Sequence, residues 1–219
     1  GREEDWRITP LRRIEKLFDP SFFDSQPLGL QVNAPAEVTV EEVGRDDSRL
    51  GNVLAPGDRT SVVAWNAFTR AQIVTVPART EVTAPVMIDI DGDEHARVLL
   101  VSVGSQSAAT VVINHRGGGE GALNQTVEIE AGDASDLTIV SIQEWDDSFV
   151  HASNHRIAIG RDAKVRHIVV SLGGDLVRIC SDTDYRGPGG ELTMLGLYFV
   201  DSGQHLEHRV FVDHSQPNC

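Results

Sequence analysis

The sequence is poor in cysteine and has no long apolar run, and each absence excludes a class of protein. Its 219 residues include only Cys180 and Cys219, too few for a disulfide framework, and neither belongs to a CxxC pair. No apolar stretch approaches the roughly 20 residues that a membrane-spanning helix needs. The first residues, GREEDWR, also lack the apolar core of a signal peptide. We therefore expect a cytoplasmic protein from a reducing compartment.

Positive charge is scarce as well. Nineteen lysines and arginines stand against thirty-three acidic residues, which leaves a net charge of -14 at pH 7. Such a chain repels phosphate backbones and anionic membrane surfaces, so we expect neither nucleic acid nor membrane as a direct partner. The hydrophobic share of 40% is nevertheless enough for a folded core in a chain of this length.

Motifs for nucleotide binding and nucleophilic catalysis are absent. A phosphate-binding loop ends in GK[ST] and leads into a helix. The glycine-rich stretches HRGGGEGA (115–122) and RGPGGE (186–191) have neither the GK[ST] ending nor a recognisable helix after them. We interpret them as loops in which glycine permits positive φ. The sequence contains no GxSxG and no HExxH. It therefore predicts no bound nucleotide and no nucleophile with a dedicated base.

The acidic stretch DIDGDE (89–94) has the residue types of a calcium loop but not its spacing. Counted from Asp89, Glu94 occupies the position where an EF-hand needs glycine, and Leu100 occupies the position of the bidentate acid. We interpret the stretch as a solvated turn between two strands.

Two helices and an early strand are predicted in the first third of the chain. Residues 9–18 indicate a helix, because Thr9 can cap it, Pro10 suits its first position and the apolar residues share one face. Residues 37–43 alternate like a strand, and residues 61–71 indicate a short buried helix.

After residue 72, short runs rich in Val, Ile and Leu recur between Gly, Asp and Asn, and these predict strands. IEAGDASDLTIVSI, ending at Ile142, is similar to IAIGRDAKVRHIVVSL, ending 30 residues later at Leu172. The irregular period near 27 favours a β-solenoid, in which each coil buries its aliphatic residues against the next, with a β-sandwich as the structural alternative. We expect the N-terminal helices to cover one open end of the solenoid. The predicted strands are residues 73–76, 86–90, 96–103, 109–114, 125–130, 137–142, 156–159, 167–172, 176–180, 192–199 and 208–213.

A solenoid enzyme acting on carbohydrate, such as a polysaccharide lyase or hydrolase, would need paired carboxylates in a cleft. Asp146, Asp147, Asp182 and Asp184 are the candidates. Nothing in the sequence singles them out, because acidic residues at strand ends are usually solvated. A β-helical carbohydrate-active enzyme, a polysaccharide lyase or hydrolase, remains the alternative function.

The stretch HLEHRVFVDHSQPNC (205–219) concentrates residue types that bind zinc, iron or copper. Its centre indicates a strand, in which His205 and His208 point to opposite faces and cannot chelate one ion. Only His214 and Cys219 remain as weak candidates for a metal site.

The C-terminal part of the chain and its first residues together carry the pattern of a known family. The C-terminal residues are Gly173, Gly174, Arg178, Gly190, the run LGLY at 195–198, Gln204, His205, His214, Pro217 and Cys219; the N-terminal ones are Glu3, Trp6, Arg7, Thr9, Pro10, Leu11 and the stretch AWNAF at 64–68. This pattern resembles the SufB/SufD family of iron-sulfur cluster assembly proteins, and its SufD members most closely.

The resemblance implies an all-β core, a right-handed parallel β-helix in residues 72–219, preceded by an N-terminal helical cap region in residues 1–71. Family members continue through further coils and a C-terminal helical domain that docks the SufC ATPase. Because this chain starts on Gly1 and stops at Cys219, we expect a fragment that lacks those parts and the cluster-assembly residues within them.

The resemblance also implies a function. It predicts a non-catalytic scaffold subunit of the cytoplasmic SufBCD complex, acting with a SufB-like subunit and a SufC-like ATPase. We assign no catalytic and no cofactor-binding residue to this chain, and we expect any iron-sulfur cluster on the full complex. An open coil edge would also permit a homodimer.

Overall fold

The computed structural model describes residues 6–19, 30–92, 95–201 and 203–219. Asp93 and Glu94 of the predicted acidic turn therefore lie outside the described residues. Elements in the described ranges are the 3₁₀ helices Leu11–Arg13 and Glu15–Phe18, the helix α1 (Arg59–Ala67), and the strands β1 (Leu30–Asn33), β2 (Thr39–Gly44), β3 (Arg70–Val76), β4 (Val86–Asp91), β5 (His95–Val103), β6 (Ala108–Gly117), β7 (Ala122–Ala131), β8 (Asp136–Trp145), β9 (Val150–Ile159), β10 (Lys164–Ser171), β11 (Leu176–Tyr185), β12 (Glu191–Tyr198) and β13 (His205–Asp213).

The strands form two sheets that the chain visits in alternation from β3 onward. One sheet has the order β1-β4-β6-β8-β10-β12 and the other β13-β11-β9-β7-β5-β3-β2. Pairs from β3 onward are parallel, while β1 and β2 join their sheets antiparallel. The result is a β-solenoid of about 5 turns, as predicted. The β-sandwich alternative is wrong, because neighbouring strands belong to successive coils and run the same way.

The register between coils explains the repeat in the sequence. Asp136 pairs with Ala108 on one side and with Lys164 on the other, and Lys164 pairs with Glu191, so equivalent residues are 28, 28 and 27 positions apart. This nearly constant spacing stacks aliphatic side chains of successive coils on one another in the interior. The buried Ala109, Leu137 and Val165, for example, pair in register on the inward face of β6, β8 and β10.

One corner of each coil depends on glycine and on a left-handed residue two positions later. Gln106, Ala134 and Asp162 have φ of 59°, 57° and 54° and occupy equivalent places in consecutive coils. The preceding glycines let successive corners approach closely: a Cβ on Gly132 would lie 2.7 Å from the backbone nitrogen of Ser105. The corner therefore fixes the coil spacing by steric contact between backbones.

The predicted helix over residues 9–18 is wrong. The segment forms two short 3₁₀ turns, and Thr9 does not cap either of them; its hydroxyl donates a hydrogen bond to Glu207, with an oxygen–oxygen distance of 2.7 Å. Ile14 and Leu17 are three residues apart, which is the 3₁₀ repeat, and both are fully buried against the outer face of the seven-stranded sheet. Contact with the sheet thus overrides the local helix pattern.

The second predicted helix is present but starts earlier. α1 begins after Asp58, whose carboxylate accepts from the Ser61 backbone nitrogen at 2.8 Å while the Ser61 hydroxyl interacts with the Asp58 backbone nitrogen at 3.1 Å. This capping box fixes the start of the helix. The extended backbone at Phe68 ends it, so the last part of residues 61–71 belongs to β3. α1 is too short and too polar to cross a membrane, and the described ranges hold no other helix that could.

We had expected the N-terminal helices to cover an open end of the solenoid. Instead, the N-terminal region covers the outer face of the seven-stranded sheet. α1 packs on β5, β7 and β9, and the early strand predicted at residues 37–43 is found as β2, which pairs with β3 at the sheet edge. Both faces of this sheet are therefore buried at β5, β7 and β9: one faces the solenoid interior and the other faces the N-terminal region.

Candidate functional site

The structure brings the two predicted metal candidates together. After β13 the Cys219 sulfur lies 3.7 Å from Nδ1 of His214, and the thiol also donates to the carbonyl of Gln216 at 2.9 Å. Searched across the described ranges, His, Cys, Asp and Glu nowhere form a group of three or more that could hold a metal ion. A structural zinc site needs four ligands, so a metal here would require donors from elsewhere. The metal site remains a prediction.

The alternation of faces predicted for the last strand is confirmed. Nε2 of His208 lies 2.9 Å from the Ser171 hydroxyl, which belongs to the solenoid interior, whereas His205 lies on the outer face, 3.3 Å from the Glu207 carboxylate. The two histidines of the HxxH sequence therefore take part in separate contacts.

The four candidate carboxylates do not converge. Asp146 and Asp147 lie in the turn before β9, where they accept from the Gly119 backbone nitrogen at 2.9 Å and from the Gln204 amide at 3.1 Å. Asp182 pairs in register with Arg156, six residues into β9, so it lies about 20 Å along the sheet from that turn. Catalytic carboxylate pairs of glycosidases lie within about 10 Å of each other, so the two pairs cannot act together.

A column of polar side chains fills part of the solenoid interior, and the sequence analysis missed it. Its members alternate with aliphatic residues along β6 to β10 and are at most 2% exposed. Charged or polar groups so deeply buried are stable only when hydrogen-bonded. The members are His115, Gln125, Ser141, Gln143, His151, Ser153, His155, His167 and Ser171.

His115 starts the column as a neutral imidazole. Burial lowers its pKa to about 4, so at neutral pH only one ring nitrogen carries hydrogen. Nδ1 lies 3.0 Å from the Ile142 carbonyl oxygen, and Nε2 lies 2.9 Å from Oε1 of Gln125. A neutral ring carries one N–H, so it donates to only one of these two oxygens.

Three more histidines of the column are neutral for the same reason. Burial lowers the pKa of His167 to about 4 and holds the pKa values of His151 and His155 well below 6.5. The Trp145 indole nitrogen donates to Nδ1 of His151 at 3.1 Å. Nδ1 of His155 lies 2.8 Å from Nε2 of His167, so one ring donates and the other accepts.

The column reaches the last coil through Ser171. Its hydroxyl donates to the Gln143 carbonyl oxygen at 2.8 Å and accepts from His208. Hydrogen-bonded neutral imidazoles, amides and hydroxyls can relay protons or hold a small polar guest, but they supply no activated nucleophile. Neither cysteine is hydrogen-bonded to the column.

A buried charged cluster lies on the opposite face of the seven-stranded sheet, under the N-terminal region. Arg178 forms an ion pair of 2.6 Å with Asp58 and lies 3.6 Å from Glu207, and its guanidinium carbon is 4.0 Å from the ring centre of Trp6. Burial acts to raise the pKa of Asp58, but the charge of Arg178 and the hydrogen bonds from Ser61, Arg178 and Thr60 together outweigh it, so the pKa of Asp58 is lowered. The cluster attaches the N-terminal region to the sheet.

Cys180 lies on this same outer face. It is 4% exposed, and burial raises the pKa of its thiol to about 12. The thiol is therefore protonated at neutral pH and is a poor nucleophile.

Comparison with known proteins assigns the chain to a family. Residues 88–219, which contain nearly all of the coils that hold the polar column, match the family described as SUF system FeS cluster assembly, SufBD core domain. The chain belongs to the SufB/SufD family. The resemblance seen in the sequence is thereby confirmed at the level of the family.

SufB/SufD relatives are similar along the whole of this chain. A protein of Mycobacterium leprae named as an iron-sulfur cluster assembly SufBD family protein is 42% identical over 223 residues. Proteins with the same family name from Mycobacterium tuberculosis and Mycobacterium bovis are each 44% identical over 223 residues. Each alignment covers 100% of this chain and 56% of the relative, so the chain spans about half the length of the curated relatives it matches.

Proposed function

We propose that this chain is part of a SufD-like scaffold subunit of an iron-sulfur cluster assembly complex, and that it is not itself an enzyme. The observation that carries the proposal is the family match over residues 88–219. The names of the relatives point to the same process. The absence of an ionised nucleophile among the described polar clusters supports a structural role over a catalytic one.

We further propose that the subunit acts with a SufB-like subunit, and with a SufC-like ATPase bound through a domain beyond Cys219. The edge strands β12 and β13 each pair on one side only among the described strands, so this end of the solenoid can accept either further coils of the same subunit or strands of a partner. Open edges of this kind are paired or covered in native proteins. Large apolar side chains at this end are also exposed: Leu195, Leu197, Tyr198, Phe199, Val200, Val210 and Phe211.

Co-expression of the full-length protein with SufB-like and SufC-like proteins from the same organism tests the proposal. We expect the three to co-purify, and we expect the protein to form a homodimer when the SufB-like subunit is omitted. Iron and sulfide should accumulate on the complex and not on this chain alone. An isolated monomer that never associates would contradict the proposal.

The carbohydrate-active enzyme is tested in the same preparation. Hydrolysis or cleavage of a polyuronide that is lost in Asp182→Asn or Asp184→Asn would overturn the scaffold proposal. Co-purification without such activity would support it.

A further inference from the structure

The outer face of the six-stranded sheet carries two rows of aliphatic side chains. The strands β6, β8, β10 and β12 are parallel and in register, so equivalent residues of successive coils lie side by side. In β8 these outward residues alternate with Ile139 and Ser141, which are buried in the interior. The first row is Val112, Val140, Ile168 and Leu195, and the second row is Ile142, Val170 and Leu197.

Both aliphatic rows are accessible to solvent. The members in β6, β8 and β10 are half-buried, and Leu195 and Leu197 are 57% and 59% exposed. In the described ranges, α1 and the 3₁₀ turns pack on strands of the other sheet and make no extensive contact with β6, β8 or β10. A contiguous exposed apolar surface on a folded protein commonly marks an interaction site.

The other sheet of the same solenoid shows what covers such rows. Its outward residues Ile73, Val98 and Leu100 form one cluster with Phe68, the residue that ends α1. Outward residues of β7 and β9 form another cluster with Ile14 and Leu17 of the 3₁₀ segment. Aliphatic side chains on the outside of this solenoid are therefore a surface on which helical segments pack.

The dimensions of the aliphatic rows also suit a helix. Neighbouring strands are about 4.8 Å apart, so a row of four strands spans about 14 Å, and residues two apart in a strand are about 7 Å apart. A helix rises 1.5 Å per residue, so about ten residues cover one row. The apolar stripe of an amphipathic helix is wide enough to contact both rows when the helix lies across the strands.

Charge differs between the two borders of the aliphatic rows. Where the strands start, the charges are paired: Arg166 lies 2.7 Å from Asp136, and Lys164 lies 3.0 Å from Glu191. Where the strands end, exposed carboxylates predominate, although Arg116 lies among them. These exposed acidic residues are Asp91, Glu120, Glu144, Asp146 and Asp147. Basic residues of a ligand would therefore be attracted to one border only.

We propose that the outer face of the six-stranded sheet binds an amphipathic α-helix of a partner protein, with apolar residues on the aliphatic rows and lysine or arginine residues beside the acidic border. A second copy of this chain fits less well, because its net charge of -14 opposes association through an acidic surface. The proposal does not depend on the scaffold function. The rows do share β12 with the open end of the solenoid, so the variants that test them lie in β8 and β10, which are paired on both sides.

Fluorescence anisotropy of a labelled 14-residue helical peptide of leucine and lysine, titrated with the full-length protein, tests the site. The leucines form one face of the peptide and the lysines flank it. We expect saturable binding that weakens as salt is added. Ile168→Glu should lower the affinity at least tenfold. Val140→Thr keeps a β-branched side chain suited to a strand and should lower it several-fold. Glu144→Gln should lower it about threefold, because one charge of the acidic border is removed.

Matched controls place the same changes elsewhere. Val62→Glu adds the charge to an apolar residue of α1 that is 43% exposed, and Glu37→Gln removes an exposed carboxylate before β2. Both should bind the peptide as the unmodified protein does, and all variants should unfold at similar temperatures. A peptide of leucine and glutamate, and a leucine–lysine peptide with its leucines spread around the helix, should bind at least tenfold more weakly.

Four results would overturn the proposal: no binding of the leucine–lysine peptide, equal binding of either control peptide, equal affinity in Ile168→Glu, or a covered surface. Cover by the protein's own chain or by a second copy is detected in Ile168→Cys, whose thiol would then react with a maleimide far more slowly than that of Val62→Cys. Ile168→Glu should still co-purify with the SufB-like and SufC-like proteins. The scaffold proposal and this one can therefore fail separately.

Discussion

At the scale of single residues, Arg178 links the N-terminal region to the solenoid. It is 2% exposed and lies within 4 Å of Asp58 and Glu207, which are 149 residues apart in the sequence. Removing one member of a buried ion cluster leaves its partners charged, without compensation and away from water. We therefore treat Arg178 as the residue on which attachment of the N-terminal region depends most.

Arg178→Met should lower the free energy of unfolding by about 3–5 kcal/mol, because Asp58 and Glu207 lose their buried counter-charge. Urea unfolding followed by fluorescence measures the change. Arg166→Met is the control: Arg166 forms an exposed ion pair with Asp136 at 2.7 Å, and such pairs contribute about 0–1 kcal/mol. Equal losses of unfolding free energy in the two variants would show that the buried charged cluster does not hold the N-terminal region on the sheet.

At the same scale, the sequence could not reveal a pocket on the outer face of the seven-stranded sheet. Gly57, Asn154, Asp182 and Phe211 are distant in the sequence, and only the stacking of β9, β11 and β13 brings them to one face. The pair His214 and Cys219 could be proposed because the residues are neighbours in the chain and have donor types. Their 3.7 Å contact does not identify further ligands.

At the scale of elements, the corner between the two sheets controls how closely successive coils stack. Gly104, Gly132 and Gly160 occupy equivalent corners, and a Cβ on any of them would meet backbone atoms of the preceding coil at 2.5–2.8 Å. The spacing of these glycines is a more regular signal of the repeat than the aliphatic runs are.

Gly132→Ala should destabilise the protein by about 1–3 kcal/mol, because backbones at the corner must separate to admit a methyl group. Gly44→Ala provides the comparison, since a Cβ at Gly44 would meet nothing within 4 Å, and it should change the free energy of unfolding by less than about 0.5 kcal/mol. Thermal unfolding of both variants decides between these expectations. An unchanged Gly132→Ala protein would mean that the corners tolerate separation.

Most strands could be predicted from the sequence, but their full lengths could not. β9 covers Val150–Ile159, whereas aliphatic residues alone predicted only residues 156–159. The missing half carries His151, Ser153 and His155, which face the interior as polar residues. A rule that places apolar residues inside therefore fails where the interior is polar. The prediction of a helix over residues 9–18 was wrong for a different reason. There, contact of Ile14 and Leu17 with the sheet sets the local conformation.

At the scale of the whole molecule, the buried histidines make stability depend on pH. The pKa values of His115 and His167 are about 4 in the folded protein, against about 6.5 in an unfolded chain. Below pH 6.5 the unfolded chain takes up protons that the folded chain does not. The stabilisation is therefore complete above pH 6.5 and is lost as the pH falls through 4.

Between pH 7 and pH 5, each of these two histidines should contribute a loss of roughly 2 kcal/mol in the free energy of unfolding. Urea titrations at several pH values measure the slope. His167→Gln should flatten it, whereas Arg166→Gln at the exposed neighbouring position should not, because arginine stays protonated throughout. A slope that is the same in His167→Gln and in the unmodified protein would contradict the neutral, buried state of His167.

Scaffolding is the central claim at this scale, and cluster assembly by the complex tests it most directly. SufB-like and SufC-like proteins would be supplied with iron and a sulfur donor without oxygen, with and without the full-length protein that contains this chain. We predict that iron and sulfide bound per complex rise several-fold when it is present. Equal cluster content with and without it, together with its failure to join the complex, would contradict the account.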